Sequence, residues 1–275
     1  MLQWNRASRF WLYFLLLTGA LAMIFPFVWM FLSAFKTDAD IYAYPPRWLP
    51  SHWRVENFID VFRIIPFARY YLNSVFVTSM ITLGQLLLSI LAAYSFARLR
   101  FPLKSTIFIL AIATLIMPFE VLMIPTFIIV HRLGWLDTYQ GLIVPFLFNG
   151  FSIFFLKQFF EAVPKDLEDA AKIDGCGYLG ILIHVILPNT KPAVGTITLF
   201  TFLTHWRSYI WPLIITNTTR MRTLPIGLKY FIGEGGEQYH LMMAAACMAI
   251  LPVLVVYIVA ERQFVKSMTF TGLKR

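Results

Sequence analysis

Apolar residues dominate long blocks of this chain, and the blocks have the length that a bilayer demands. A hydrocarbon core needs roughly 20 apolar residues per helix, and six stretches qualify, at about 10 to 32, 72 to 97, 106 to 131, 140 to 160, 190 to 216 and 240 to 260. The pattern predicts an all-α, polytopic membrane protein with six transmembrane helices and both termini on one side. One stretch interrupts it. Val163 to Pro188, VPKDLEDAAKIDGCGYLGILIHVILP, is acidic at its start and rich in alanine and glycine.

That stretch carries start and stop signals for a short helix. Pro164 suits a first helical position, and Asp166, Glu168 and Asp169 put negative charge where a helix N-terminus is positive. Lys172 balances the other end, and Gly175 supplies the left-handed residue that commonly ends a helix, so about 10 residues are expected. A helix so short is marginal alone. Its apolar stripe is Leu167, Ala170, Ala171 and Ile173, whose small alanines let another surface approach closely. Two readings stay open: a knob that docks into another protein, or a solvated connector between two spans.

Composition agrees with the membrane assignment, since 59% of the 275 residues are hydrophobic and only 13% are charged. The first stretch follows Arg6 and Arg9, is too long for a signal-peptide core and lacks a small-residue cleavage site, so it is expected to remain as a span. Arg98, Arg100 and Lys104 follow the second span, whereas only Arg132 lies between the third and fourth. By the positive-inside rule both termini are cytoplasmic. Lys36, Arg47, Arg54, Arg63 and Arg69 then share one long outer loop, and long loops weigh little in that rule. The net charge of +9 reflects topology and gives no sign of nucleic-acid binding.

Catalytic and metal chemistry find no support. Cys176 and Cys247 have no partners for a disulfide or metal site, and no GxxxxGK[ST], HExxH or GxSxG pattern occurs. Gly175, Gly177 and Gly180 spell GxGxxG after a helix signal and without a βαβ context, which marks a chance match.

Transport remains, and a transport pathway shows in sequence as polar groups at mid-membrane depth. Glu120 lies between Pro118 and Pro125 in the third span, Asn149 beside Gly150 in the fourth, and Thr204, His205 and Arg207 in the fifth. These five are the expected pathway residues. Thr196, Thr198, Thr201, Ser208 and Tyr209 extend a hydroxyl run along the fifth span, suited either to a polar solute or to helix packing. Glu120 and Arg207 equally fit a structural ion pair, and His205 a hydrogen-bonded packing histidine. Prolines 118, 125, 145, 192, 212 and 252 fall in or beside the spans, where they kink helices and free carbonyls.

The pattern Asp169, Ala170, Ala171, three residues, Gly175, nine residues, Val185, one residue, Leu187 and Pro188 resembles the EAA loop of permease subunits in binding-protein-dependent ABC importers. The resemblance extends over nearly the full chain. Asn73-Ser74, Ala92-Ala93-Tyr94 with Arg98 and Phe101-Pro102, Leu133-Gly134 with Asp137-Thr138-Tyr139, and the tail residues Arg262, Phe264, Val265, Lys266, Thr269 and Gly272 look like the sugar branch. More closely, the chain is similar to the second permease of maltose-type and glycerol-phosphate-type importers. It departs from the pattern at Asp169, where glutamate is usual, at Val185, and at Arg207, which puts a cation where a neutral amide is common.

The resemblance implies a type I ABC importer transmembrane domain in the bacterial inner membrane. Residues 1–66 would form a first helix and external arm, 67–261 the core with its coupling loop at 163–188, and 262–275 a cytoplasmic tail. Leu167, Glu168, Asp169, Ala170, Ala171, Asp174 and Gly175 would make the coupling helix, docked on a separate ATPase dimer that holds ATP and magnesium. This chain itself would bind no cofactor and hydrolyse nothing. A second permease, in a heterodimer, and an external solute-binding protein delivering a sugar, glycoside or polyol complete the expected partners. The competing classes are an ion-coupled secondary transporter using Glu120 or His205, and a structural membrane subunit without a pathway.

Overall fold

A computed structural model describes residues 6–234 and 236–259. In chain order its helices are α1 (Arg6–Ser33), α2 (Asp38–Ile41), α3 (Glu56–Ile64), α4 (Phe67–Arg98), α5 (Lys104–Ala113), α6 (Phe119–Arg132), α7 (Tyr139–Ile143), α8 (Gly150–Glu161), α9 (Lys165–Ile173), α10 (Tyr178–Ile181), α11 (Leu187–Asn189), α12 (Lys191–Trp206), α13 (Ile210–Ile215), α14 (Leu224–Tyr230) and α15 (Tyr239–Ala249). Short 3₁₀ turns follow α5 and α7, and a π-helical turn, Leu182–Ile186, joins α10 to α11. No strand occurs among the described residues. The expected tail residues from Arg262 onward lie outside them.

Three helical segments are long and apolar enough to cross a membrane: Arg9–Ser33, Phe67–Arg98 and Tyr239–Val259. The third and fourth expected spans are broken. Lys104–Ile116 meets Phe119–Arg132 at a 105° bend, and Tyr139–Phe146 meets Gly150–Glu161 at 45°. The stretch expected at 190 to 216 is likewise divided, into α12 and the six-residue α13. Local chemistry accounts for the first two breaks. Pro118 has no N–H and forces Met117 into an extended conformation, φ −89° and ψ 115°, which ends the preceding helix. Asn149 is extended as well, and its side chain caps α8 by accepting from Ser152 N at 2.9 Å.

The described residues fall into two compact units, one of residues 6–68 and 227–251, the other of 69–226 and 252–259. In the first, α1 and α3 pack on α15. The arm after α1 is held by buried polar groups: Asn57 donates to the Ala34 and Lys36 carbonyls, each at 2.9 Å, and Asp40 accepts from Arg47 and from Ser51 N and Oγ. Lys36 is buried over the Trp29 ring and donates to the Arg47 carbonyl at 2.7 Å. These bonds turn a segment with no long helix into ordered structure.

In the second unit α8 packs between α5 and α12. Gly150 makes the approach to α5 possible, because a Cβ there would collide with the Ala111 carbonyl and lie 2.9 Å from Thr114 Oγ1. A polar stripe runs down the buried face of α4, from Asn73 and Ser74 through Thr78, Thr82, Gln85 and Ser89 at three- and four-residue spacing after Ser74. Its upper residues fasten the segment after α13. Asn73 donates to the Arg220 and Arg222 carbonyls, and Ser74 Oγ accepts from Leu224 N.

Asp137 fastens the same segment from another side, accepting from Asn217 N, Thr218 N and Thr218 Oγ1 at 2.7–3.0 Å. Burial pushes its carboxyl upward, but the Thr218 and Asn217 bonds and the Arg220 charge outweigh burial and hold it below the ordinary carboxylate value. The stabilisation is therefore complete above the unfolded pKa of about 3.9 and is lost as pH falls through the lower folded value. Thermal melts of the purified protein should show a loss of stability below about pH 4 that is smaller in the Asp137→Asn variant, where Asp40 still contributes.

Candidate functional site

Two regions carry polar chemistry in the second unit, the short helix α9 and the set of helix breaks. α9 runs Lys165–Ile173 with Pro164 at its N-cap, one position earlier than the expected first helical residue. It ends in a Schellman arrangement: Gly175 N donates to Lys172 O at 3.0 Å and Cys176 N to Ala171 O at 2.9 Å. Gly175 adopts the left-handed conformation this requires, with φ +83°.

Part of the expected docking surface faces inward. Glu168, only 5% exposed, and Ala171 point into the protein, while Leu167, Asp169, Ala170, Ile173 and Asp174 face outward. The expected stripe of Leu167, Ala170, Ala171 and Ile173 is thus split, with only Ala171 on the inner side. The reason is Arg98, the last residue of α4, which forms a buried ion pair with Glu168 and donates to the Val163 carbonyl at 2.6 Å. With the carboxylate satisfied inside, apolar side chains are left outside: Ile173 is 87% exposed, and Tyr178 and Leu179 of α10 are exposed beside it. Asp169 pairs with Lys172 at 2.8 Å on the surface, a bond that lowers the carboxyl pKa and raises that of the amine.

Behind α9 lies one apolar cluster containing Ala93 and Tyr94 of α4, Leu156 and Phe160 of α8, Ala171, and Ile181, Leu182 and Ile186. The outer face of α9 is therefore a polar and apolar surface mounted on a packed base. In the sequence Arg98 stands out as a topology signal and a motif residue, but nothing in residue spacing links positions 98 and 168.

The five expected pathway residues sit in different local settings at the helix breaks. Asn149 is the N-cap of α8, and through Ser152 it joins a network in which Gln85 donates to Ser152 Oγ at 3.0 Å and to Thr201 Oγ1 at 2.9 Å. Glu120 is exposed in the first turn of α6, and Thr204 is exposed on α12. Arg207 is exposed at the C-cap of α12, where its Nε donates to the Leu203 carbonyl. Glu120 and Arg207 make no salt bridge among the described residues. His205 is partly buried and its ring lies 5.0 Å from Phe146.

What the breaks do share is an aromatic joint. Phe119 follows the first break, Phe146 precedes the second, and His205 and Trp211 flank the third. Ring centroids are 5.3 Å apart for Phe119 and Phe146, 5.8 Å for Phe119 and Trp211, and 5.9 Å for Phe146 and Trp211. Trp211 Nε1 donates to the Gly141 carbonyl at 3.0 Å. A cavity beside this joint, lined by Ser74, Thr78, His205, Ser208 and Thr223 among others, has room for about one water molecule and not for a sugar. Gln85 and the joint were both missed in the sequence, although a polar residue every three or four positions in an apolar span was visible there.

The sequence profile of the family described as binding-protein-dependent transport system inner membrane component matches residues 85–265. Among curated proteins, the sn-glycerol-3-phosphate transport system permease protein UgpE of Pectobacterium atrosepticum is 31% identical over 98% of each chain. The sulfoquinovosyl glycerol transport system permease protein SmoH of Agrobacterium fabrum is 32% identical over 91% of this chain and 89% of its own. Among solved structures, a bacterial ABC transporter that imports the acidic polysaccharide alginate superposes with a TM-score of 0.82 at 25% identity, over 95% of this chain and 99% of that one.

Proposed function

The chain belongs to the family of binding-protein-dependent transport system inner membrane components, and from that premise we propose that α9 is the surface on which a separate ATPase drives it. It is a permease subunit of a sugar-type ABC importer, a transport component of the inner membrane. In our reading ATP and magnesium are held by the ATPase dimer, a second permease supplies the other half of the pathway, and an external binding protein delivers solute. Both termini lie on the ATPase side. Closure of the ATPase dimer then shifts a two-state equilibrium between inward-facing and outward-facing forms.

The observation that carries this reading is the outer face of α9. Leu167, Ala170 and Ile173, with Tyr178 and Leu179, form an exposed apolar patch on a polar connector, which is the signature of a surface that another protein covers. Asp169, Asp174 and the Gly175 stop frame it, while Glu168 and Ala171 hold it from behind. Cysteine at Ala170 should crosslink to the ATPase in the assembled complex, whereas cysteine at buried Ala171 should not. Crosslinking at neither site across several linker lengths would remove α9 from the interface.

The exposed groups at the helix breaks, Glu120, Thr204 and Arg207, are our choice for solute contacts, with Asn149 and His205 supporting the helices that present them. The solutes named for the three relatives carry a phosphate, a sulfo group or acidic sugars. An exposed arginine at the α12 break suits a solute of that kind, and we take an acidic glycoside or polyol as the cargo.

A further inference from the structure

We propose that Arg98 and Glu168 are positioning residues that lock α9 to the end of α4, so that movement imposed on the docking surface reaches a membrane-spanning helix undiminished. The inference rests on the reading of α9 as the ATPase contact and deepens it. An isolated nine-residue helix is too short to be stable in water, and a load applied to its outer face would bend or rotate it. One guanidinium prevents both. Arg98 bonds the Val163 carbonyl just ahead of the helix and Glu168 in its first turn, two points that fix position and rotation together. Arginine suits this task because its planar fork holds two acceptors at once.

Burial separates this pair from the others nearby. The Arg98 and Glu168 side chains are each 7% exposed, whereas Lys172 and Asp169 are 55% and 64% exposed and contribute little to rigidity. Arg98 is also the last residue of α4, whose Ala93 and Tyr94 lie in the same apolar cluster as Ala171. α9 is thus tied to α4 by charge and shares one apolar cluster with it. A buried pair of this kind is a poor choice for stability alone, since apolar residues of similar volume often serve as well or better.

The test uses the complex of this chain with its permease and ATPase partners in lipid nanodiscs. Spin labels are placed at Leu88→Cys on α4 and Lys165→Cys on α9, both exposed, with Cys176 and Cys247 replaced by alanine. With the native pair the inter-label distance should be single and the same in the nucleotide-free complex and in the complex trapped with ATP, magnesium and vanadate. Arg98→Gln or Glu168→Gln should lose that single distance when nucleotide is trapped.

The decisive variant is Arg98→Gln with Glu168→Gln, which removes both charges and leaves neither one buried and unpaired. If the pair is a joint, this variant assembles and binds ATPase yet its distance still spreads on trapping. A double variant that keeps the native single distance would overturn the proposal, as would a native chain whose distance shifts with nucleotide. Failure of the Ala170→Cys crosslink is a separate outcome that overturns the docking reading beneath it.

Discussion

Valine at position 175 should abolish ATP-driven uptake while leaving membrane insertion intact. Gly175 sits at φ +83°, and a Cβ built there meets nothing within 4 Å, so crowding plays no part and the backbone conformation alone is tested. A non-glycine residue in the left-handed region costs about 1–2 kcal/mol, more for a β-branched one, which is about a 5- to 30-fold shift against the native turn. The two bonds that close α9, from Gly175 N and Cys176 N, are lost with it. Tyr178 and Leu179 then leave the outer face, and the ATPase no longer finds its surface assembled. Uptake of the solute carried by the binding protein, measured in vesicles beside ATP hydrolysis, should fall to background in Gly175→Val. Gly175→Asn, which tolerates the left-handed region, should retain most of it. Full uptake in the valine variant would remove the turn from the coupling mechanism.

Alanine at Trp211 should be among the most destabilising single changes in the chain. The indole is 1% exposed, touches Phe119 and Phe146 across two other helix breaks and bonds the Gly141 carbonyl. Truncating such a side chain typically costs about 3–5 kcal/mol. Trp211→Phe keeps most of the volume and orphans one buried carbonyl, for about 1–3 kcal/mol. Thermal unfolding of the detergent-purified protein should rank native above Trp211→Phe above Trp211→Ala. Equal stability of the two variants would mean that the hydrogen bond, and not the packing, holds the joint.

Much of the fold was readable because its causes are local. Long apolar blocks predict helices wherever backbone groups lack water, and α1, α4 and the segment Tyr239–Val259 follow directly. The start, charge pattern and stop of α9 are also local, and so Lys165–Ile173 and Gly175 stand within a residue of expectation. What was not readable depends on partners far away in sequence. The helix signals put Glu168 and Ala171 on the docking surface with their neighbours, and Arg98 draws that side of the helix inward by offering the Glu168 carboxylate a buried cation. Asn149 looked like a solute contact because it is polar in an apolar stretch. The chain break gives it a structural task that spacing does not show, because Ser152 N needs an acceptor there. Pro118 announces a kink, but neither the 105° bend nor the contacts of Phe119 with Phe146 and Trp211 beside it can be read from spacing.

The polar stripe on α4 also constrains how the protein is made. Ribosomes deliver α4 to the membrane before Ser152 and Thr201 have been synthesised, so Gln85 enters the bilayer with neither of its bonding partners in existence. Until α8 and α12 arrive, that face must borrow hydrogen bonds from water, from the insertion machinery or from a neighbouring membrane protein. A nascent chain stalled between residues 98 and 150 therefore carries an unbonded amide on α4 that Ser152 and Thr201 later satisfy.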